Sequence, residues 1–297
     1  MRRRYVRLLA SLFLASCVPS APPSPAAPAP APKERAAAIA ELARPGFILD
    51  GAFSQGGVVL GTAPGGTARL TLDEEPVPFG DDGRFLLGFD RDQSATAVLV
   101  ATLVDGRSVR RDLAIAPRAW DIEHVDAALR QGRSSEEFLR IREREVARIN
   151  AARAARSQTE GWRQDFIWPV TGRISGRFGA QRIYRGEPGS YHSGIDIAPG
   201  AGASVVAPAD GVVVLAGPPM FSLEGNLVIV DHGMGLNSAF LHLATVAVRA
   251  GQAVRQGQLI GTVGATGRAT GPHLHWSLKW NEARLDPLLL AGPMMGA

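Results

Sequence analysis

From Phe166 onward the chain has a texture that leaves it few possible folds. Short runs rich in Val, Ile and Leu, such as "VVAPADGVVVLAG", "GNLVIVDHG", "NSAFLHL" and "GQAVRQGQLIGTVGATG", are broken every few residues by glycine, with no convincing long helix between them. Aliphatic and β-branched runs of this length suit strands in the core of a sandwich or barrel. The glycines suit tight hairpins, which need positive φ. Residues 166–297 are therefore expected to form an all-β domain.

Similar punctuation runs from Pro45 to Pro117, in "GGVVLGT", "ARLTLD", "RFLLGFD" and "ATAVLVATLVDGRSVRRDLAI". Asp105-Gly106 separates two alternating runs, a hairpin signal. Residues 45–118 are expected to be a small antiparallel β-sandwich of immunoglobulin-like character. They hold no histidine or cysteine, and their acids sit at turn positions, so a packing, spacing or binding role is expected.

Residues 119–165 read as a helical connector. Ser134 stands three residues before Glu137, a capping-box spacing, and a run rich in Arg, Glu and Ala follows. The expected helix has about 20 residues, with a narrow stripe of Phe138, Leu139, Val146 and Ile149 packed on a neighbour. His124, upstream of it, reads as a solvated linker residue.

Residues 1–17, "MRRRYVRLLASLFLASC", combine arginines without acids and an apolar stretch too short to anchor in a bilayer, as a secretory leader does. Its end, "LASC", resembles the bacterial lipobox, in which a cysteine is lipidated after cleavage. Cys17 is also the only cysteine, so no intramolecular disulfide is possible. Residues 18–44 form a Pro/Ala-rich linker, expected to be an extended spacer. The formal charge of +4 comes from 32 basic and 28 acidic residues, and the leader carries four of the basic ones, leaving 28 against 28. A neutral body without a basic stripe excludes nucleic acid as a partner.

Five of the six histidines lie beyond Phe166. His273 and His275 alternate in "GPHLHW", and side chains two apart on a strand share a face. His192 precedes Asp196 by four residues, an even separation that also shares a face in extended chain. Imidazole and carboxylate are a normal mixed ligand set for zinc. Three ligands drawn from His192, Asp196 and one of the His273/His275 pair would leave a coordination position open, as hydrolysis requires. There is no G-x-S-x-G elbow for a serine nucleophile. His232, between a strand and a glycine turn in "VDHGMG", reads as structural.

The segments "HSGIDIAPGAGASVVAPADGVVV", "VDHGMGL", "FLHL", "VRQGQLIGTVGATGRATGPHLHW" and "RLDPLLLAG" resemble the lysostaphin/LytM-type zinc metallo-endopeptidases of peptidoglycan, from about Trp168 to Leu290. The resemblance implies a duplicated-hybrid-motif fold and one Zn2+ per chain, held by His192, Asp196 and His275. It further implies His273 as general base and His242 as electrostatic stabiliser of the oxyanion, two roles open to exchange. One departure is Phe240, which stands where many members have a tyrosine and offers no hydroxyl.

The implied function is hydrolysis of the cross-linked peptides of peptidoglycan by an enzyme lipid-anchored in the envelope. A D-Ala to diaminopimelate bond is the family-based expectation for the cleaved link. Val18 is not the aspartate associated with inner-membrane retention, so the outer membrane is the expected anchor. The alternative is a catalytically silent member of the same fold that binds peptidoglycan or activates an amidase; such members, by the same resemblance, have usually lost zinc ligands. A lipoyl-type carrier is excluded because the "GQAVRQGQLIGTVG" hairpin has no lysine.

Overall fold

The computed structural model describes residues 45–128 and 135–294. The leader with Cys17, the Pro/Ala linker and Ser134 lie outside the described residues. The chain opens with β1 (Ile48–Gly51), β2 (Val58–Thr62), β3 (Thr67–Leu72), β4 (Glu75–Pro76), β5 (Arg84–Gly88), β6 (Thr96–Leu103) and β7 (Ser108–Ala114). They make two antiparallel sheets, ordered β1-β2-β5 and β4-β3-β6-β7. Along β6, Ala97, Leu99 and Ala101 are buried at the two-residue period of a strand and meet Val59, Phe85 and Leu87 of the other sheet in one cluster. The Asp105-Gly106 turn joins β6 to β7, with Thr102 opposite Ser108.

The connector differs from its expectation in two ways. It begins with a strand, β8 (Ile122–Val125), before the helix α1 (Glu136–Ala154), and is followed by β9 (Arg173–Gly176), β10 (Gln181–Tyr184) and β11 (Glu187–Pro188). β8 runs parallel to β10, with His124 exposed opposite Ile183. Four residues are too few for a period to register, and the partner is remote in sequence. α1 is capped by Ser135, not Ser134: its hydroxyl accepts from the Phe138 amide at 3.1 Å, and Glu136 and Glu137 suit the first turn.

The packing face of α1 also differs. Leu139 (56%) and Val146 (38%) are exposed, whereas Glu145 and Ala152 are buried. Of the expected stripe, Ile149 packs on the cluster of Leu215, Phe221 and Ala239 and Phe138 is half-buried, but the loop beneath the helix presents Ser222 and Glu224, so polar partners take the place of Leu139 and Val146.

The C-terminal strands are β12 (Ile195–Ala198), β13 (Ser204–Val206), β14 (Gly211–Ala216), β15 (Asn226–Gly233), β16 (Leu236–Val246), β17 (Ala253–Val254), β18 (Leu259–Val263), β19 (Leu274–Trp280) and β20 (Ala283–Leu285). The main path is β17-β14-β15-β16-β19-β12-β9, and β18 branches from β16 to pair with β13. A five-residue helix, α2 (Pro287–Ala291), follows, capped by Asp286 with proline in its first turn. Among the described residues no helix is long and apolar enough to cross a membrane.

The upstream sheets are bolted to this framework. Arg91, 6% exposed, donates to the carbonyl of Gly179 and to Gln181. Arg118 pairs with the buried carboxylate of Asp286 at 2.8 Å. One continuous buried cluster runs from Val59 through Leu99 to Trp276.

Candidate metal centre

Three neighbouring strands, β16, β19 and β12, carry most of the site. Asp196 on β12 lies opposite His275 on β19, and His275 lies opposite Leu241 on β16, one residue before His242. Leu274 and Trp276 point the other way and are fully buried, which fixes the face on which His273 and His275 emerge. His192 is not in a strand. It sits in the irregular segment before β12, where its amide donates to Ala180 and its carbonyl accepts from Gly179.

The sequence thus spreads these groups over more than 80 positions, and the sheet collects them. Asp196 Oδ1 lies 2.8 Å from His275 Nδ1 and 3.1 Å from His192 Nε2, and the two nitrogens are 3.1 Å apart. His273 Nε2 is 3.8 Å from the same carboxylate oxygen. The His242 ring lies 4.9 Å from that of His273 and 6.4 Å from that of His275. His232 stands apart, bonded on both nitrogens within the core.

Backbone carbonyls fix the tautomers, because a carbonyl can only accept. Nδ1 of His192 donates to Arg177 (3.0 Å), Nδ1 of His242 to Thr266 (2.9 Å) and Nδ1 of His273 to Gly271 (2.8 Å). In each neutral ring the lone pair therefore lies on Nε2. For His192 that lone pair faces a carboxylate oxygen at 3.1 Å, an arrangement that repels unless a proton or a cation lies between.

Burial pushes the Asp196 carboxyl upward, but its bonds to His192 and His275 prevail and hold it far below the usual carboxylate range. Burial pulls His192 down, and the bond to Asp196 more than offsets it, leaving that imidazole raised. Burial lowers both His275 and His242. The site thus holds one ionised carboxylate that favours the cationic form of His192, while burial disfavours that form of His275 and His242.

The donor set fits a tetrahedral metal. With metal–nitrogen bonds of about 2.0 to 2.1 Å, neighbouring ligand atoms of a zinc tetrahedron sit roughly 3.3 Å apart. The three ligand-atom separations here, 2.8 to 3.1 Å, fall just inside that edge. His192, Asp196 and His275 form a group able to hold a metal ion. Space for them depends on two glycines that the sequence reading missed. A Cβ on Gly176 would lie 2.6 Å from Asp196 Oδ2, and one on Gly194 would lie 2.7 Å from His275 Nε2. Gly194, inside "HSGID", carries no local signal of this duty, since its neighbour arrives from β19.

A groove of about 1210 Å³ borders the cluster, running from His192 and Asp196 past Tyr191 and Arg268 to Asp121 and Glu123. One wall is therefore contributed by β8 and the residue before it.

Residues 190–287 match the model of peptidase family M23. This segment is a peptidase M23 domain. It is homologous to LytM-type peptidoglycan endopeptidases: peptidoglycan DD-endopeptidase ShyA of Vibrio cholerae is 41% identical over 110 residues, covering 36% of this chain and 24% of that protein. Murein hydrolase activator NlpD of Salmonella dublin is 39% identical over 121 residues, covering 41% of this chain and 30% of that protein. The chain spans 18% to 30% of the length of the curated relatives it matches. A solved structure of a putative peptidase M23 from Pseudomonas aeruginosa aligns with a TM-score of 0.61 at 29% identity, covering 86% of this chain and 99% of that one. The likeness to that structure therefore extends well upstream of the M23 domain.

Proposed function

We propose that this chain is a zinc-dependent endopeptidase that hydrolyses the peptide cross-links of peptidoglycan. The observation that carries the reading is the complete set around one carboxylate: His192, Asp196 and His275 converge as ligands, with His242 and His273 beside them. Zinc held there would polarise a carbonyl and render water acidic enough to attack it at neutral pH. His273, its Nδ1 tied to Gly271, offers the Nε2 lone pair as general base. His242 is tied the same way to Thr266, and burial keeps it neutral, so it is better suited to accept a hydrogen bond from the attacking water than to donate one to an oxyanion. That supports a water-orienting role for His242 in place of the oxyanion role implied by resemblance. No hydroxyl comes from Phe240, which is fully buried.

A second reading has an observation of its own in the similarity to a murein hydrolase activator. The test compares the chain lacking residues 1–17 with its His275→Ala variant for zinc content and for hydrolysis of purified cross-linked muropeptides. The enzyme reading expects about one zinc and cleavage in the parent and neither in the variant. Zinc without cleavage would hand the chain to the activator reading, and absence of zinc would overturn the metal centre. Export and attachment to a membrane through Cys17 belong to the same proposal and rest on the "LASC" tetrapeptide; incorporation of labelled palmitate, lost in Cys17→Ala, checks them.

A further inference from the structure

Helix α1 lies wholly outside residues 190–287, yet its buried face grips the loop next to His242. Arg142 donates both terminal nitrogens to Glu224, at 2.7 and 2.6 Å, in a bidentate fork. Its Nη1 also reaches Glu145 at 3.0 Å, and Glu145 in turn accepts from the amide and hydroxyl of Ser222 at 2.7 and 2.6 Å. One turn further on, the Arg148 guanidinium lies 4.6 Å over the buried ring of Phe221. Three successive contacts along one helix face thus fix the segment 221–225.

That segment holds His242 from two sides. The carbonyl of Glu224 accepts from the His242 amide at 2.9 Å. Gly225 packs on Thr266 so closely that a Cβ there would lie 2.3 Å from Oγ1, and the Asn226 amide donates to the same hydroxyl. The carbonyl of Thr266 is the partner of His242 Nδ1. His242 also has φ of 63°, a left-handed conformation that costs an ordinary residue roughly 1–2 kcal/mol and persists only where its surroundings enforce it.

We propose that Arg142 is a positioning residue for His242, acting through Glu224 to lock the backbone and tautomer of an imidazole carried by the M23 domain. This rests on the role given to His242 above. The ligand groups of the metal centre hang from other partners: His192 from Arg177, Gly179 and Ala180, and Asp196 and His275 from the β12–β19 pairing. Loss of Arg142 should therefore disturb His242 and spare the metal.

The experiment uses the full chain and its Arg142→Ala, Arg142→Lys and Glu224→Gln variants, with Leu139→Ala as a control on the exposed side of the same helix. Native-state amide exchange is read at His242 and Arg268, whose amides bond to Glu224 and Leu223, and at Val228 and Val230 in the core. We expect exchange at His242 and Arg268 to quicken at least about tenfold in Arg142→Ala while Val228 and Val230 hold. In the same variant kcat should fall roughly 10- to 100-fold with KM and zinc content unchanged. Arg142→Lys should fall between, because an ammonium cannot reproduce the fork, and Leu139→Ala should match the parent.

Equal acceleration at His242 and Val230 would overturn the proposal, as would a loss of kcat that tracks loss of zinc. If the parent hydrolyses nothing, the enzyme reading fails while the exchange data still decide the positioning. If Arg142→Ala does not fold, Arg142→Lys and Glu224→Gln carry the same comparison.

Discussion

His232 and His242 begin alike. Both are buried, both donate Nδ1 to a backbone carbonyl at 2.8 to 2.9 Å, and burial lowers the pKa of both. They part at the second nitrogen. His232 Nε2 meets Ser238 Oγ at 2.8 Å, with Phe166 packed edge-on at 4.9 Å. His242 Nε2 has no hydrogen-bond partner among the described residues, its ring lies 4.9 Å from His273, and its backbone is held left-handed. An imidazole satisfied at both nitrogens serves the core, and one satisfied at a single nitrogen is set for chemistry. Burial alone would have ranked the wrong histidine first.

Substituting each residue should break the pair apart. His242→Ala is expected to retain zinc and lose roughly 10²- to 10⁴-fold in kcat, measured on cross-linked muropeptides. His232→Phe is expected to keep kcat and lose about 2 kcal/mol of stability in urea unfolding, because the carbonyl of Asp210 and the hydroxyl of Ser238 are left without their partner. Comparable losses of kcat in both variants would dissolve the distinction.

Acid should act on the structural member next. Burial pulls His232 down to about 4, against about 6.5 in the unfolded chain. Between those values the unfolded state binds the extra proton, so stability present above pH 6.5 is lost as the pH falls to 4. Two and a half pKa units correspond to about 3 kcal/mol. The difference between the unfolding curves of the parent and His232→Phe should show this loss, and a flat difference would refute it.

The distinction between these two histidines was only half legible in the sequence. "VDHGMG" read His232 as a structural residue between strand and turn; it lies instead within β15, just before the turn, while "GPHLHW" put His273 and His275 on one face because a strand has a period of two. Local pattern also carried the α1 helix and the Asp105-Gly106 hairpin. What it could not carry were partners distant in the chain. Gly194 is small because of His275, Ser222 and Glu224 make the face of α1 polar, and β8 is a strand because β10 runs beside it. His192 was expected in extended chain and instead sits in a segment fixed by Gly179 and Ala180.

The smallest effect probes how complete the satisfaction of His232 is. Ser238→Ala removes the only partner that Nε2 has among the described residues, inside a fully buried site, and should cost about 1 kcal/mol at pH 7. A hydroxyl can donate to the neutral ring and accept from the protonated one, so its loss removes support from both forms. The imidazolium, the costlier form to bury, loses at least as much, which leaves the folded-state pKa at or below about 4. Down to that pH the proton is taken up by the unfolded state in parent and variant alike. Their stability curves should therefore run parallel from pH 6.5 to 4, offset by that single kcal/mol, and separate only below. Convergence of the curves across this window would mean that Ser238 is held as a donor, favouring the neutral ring.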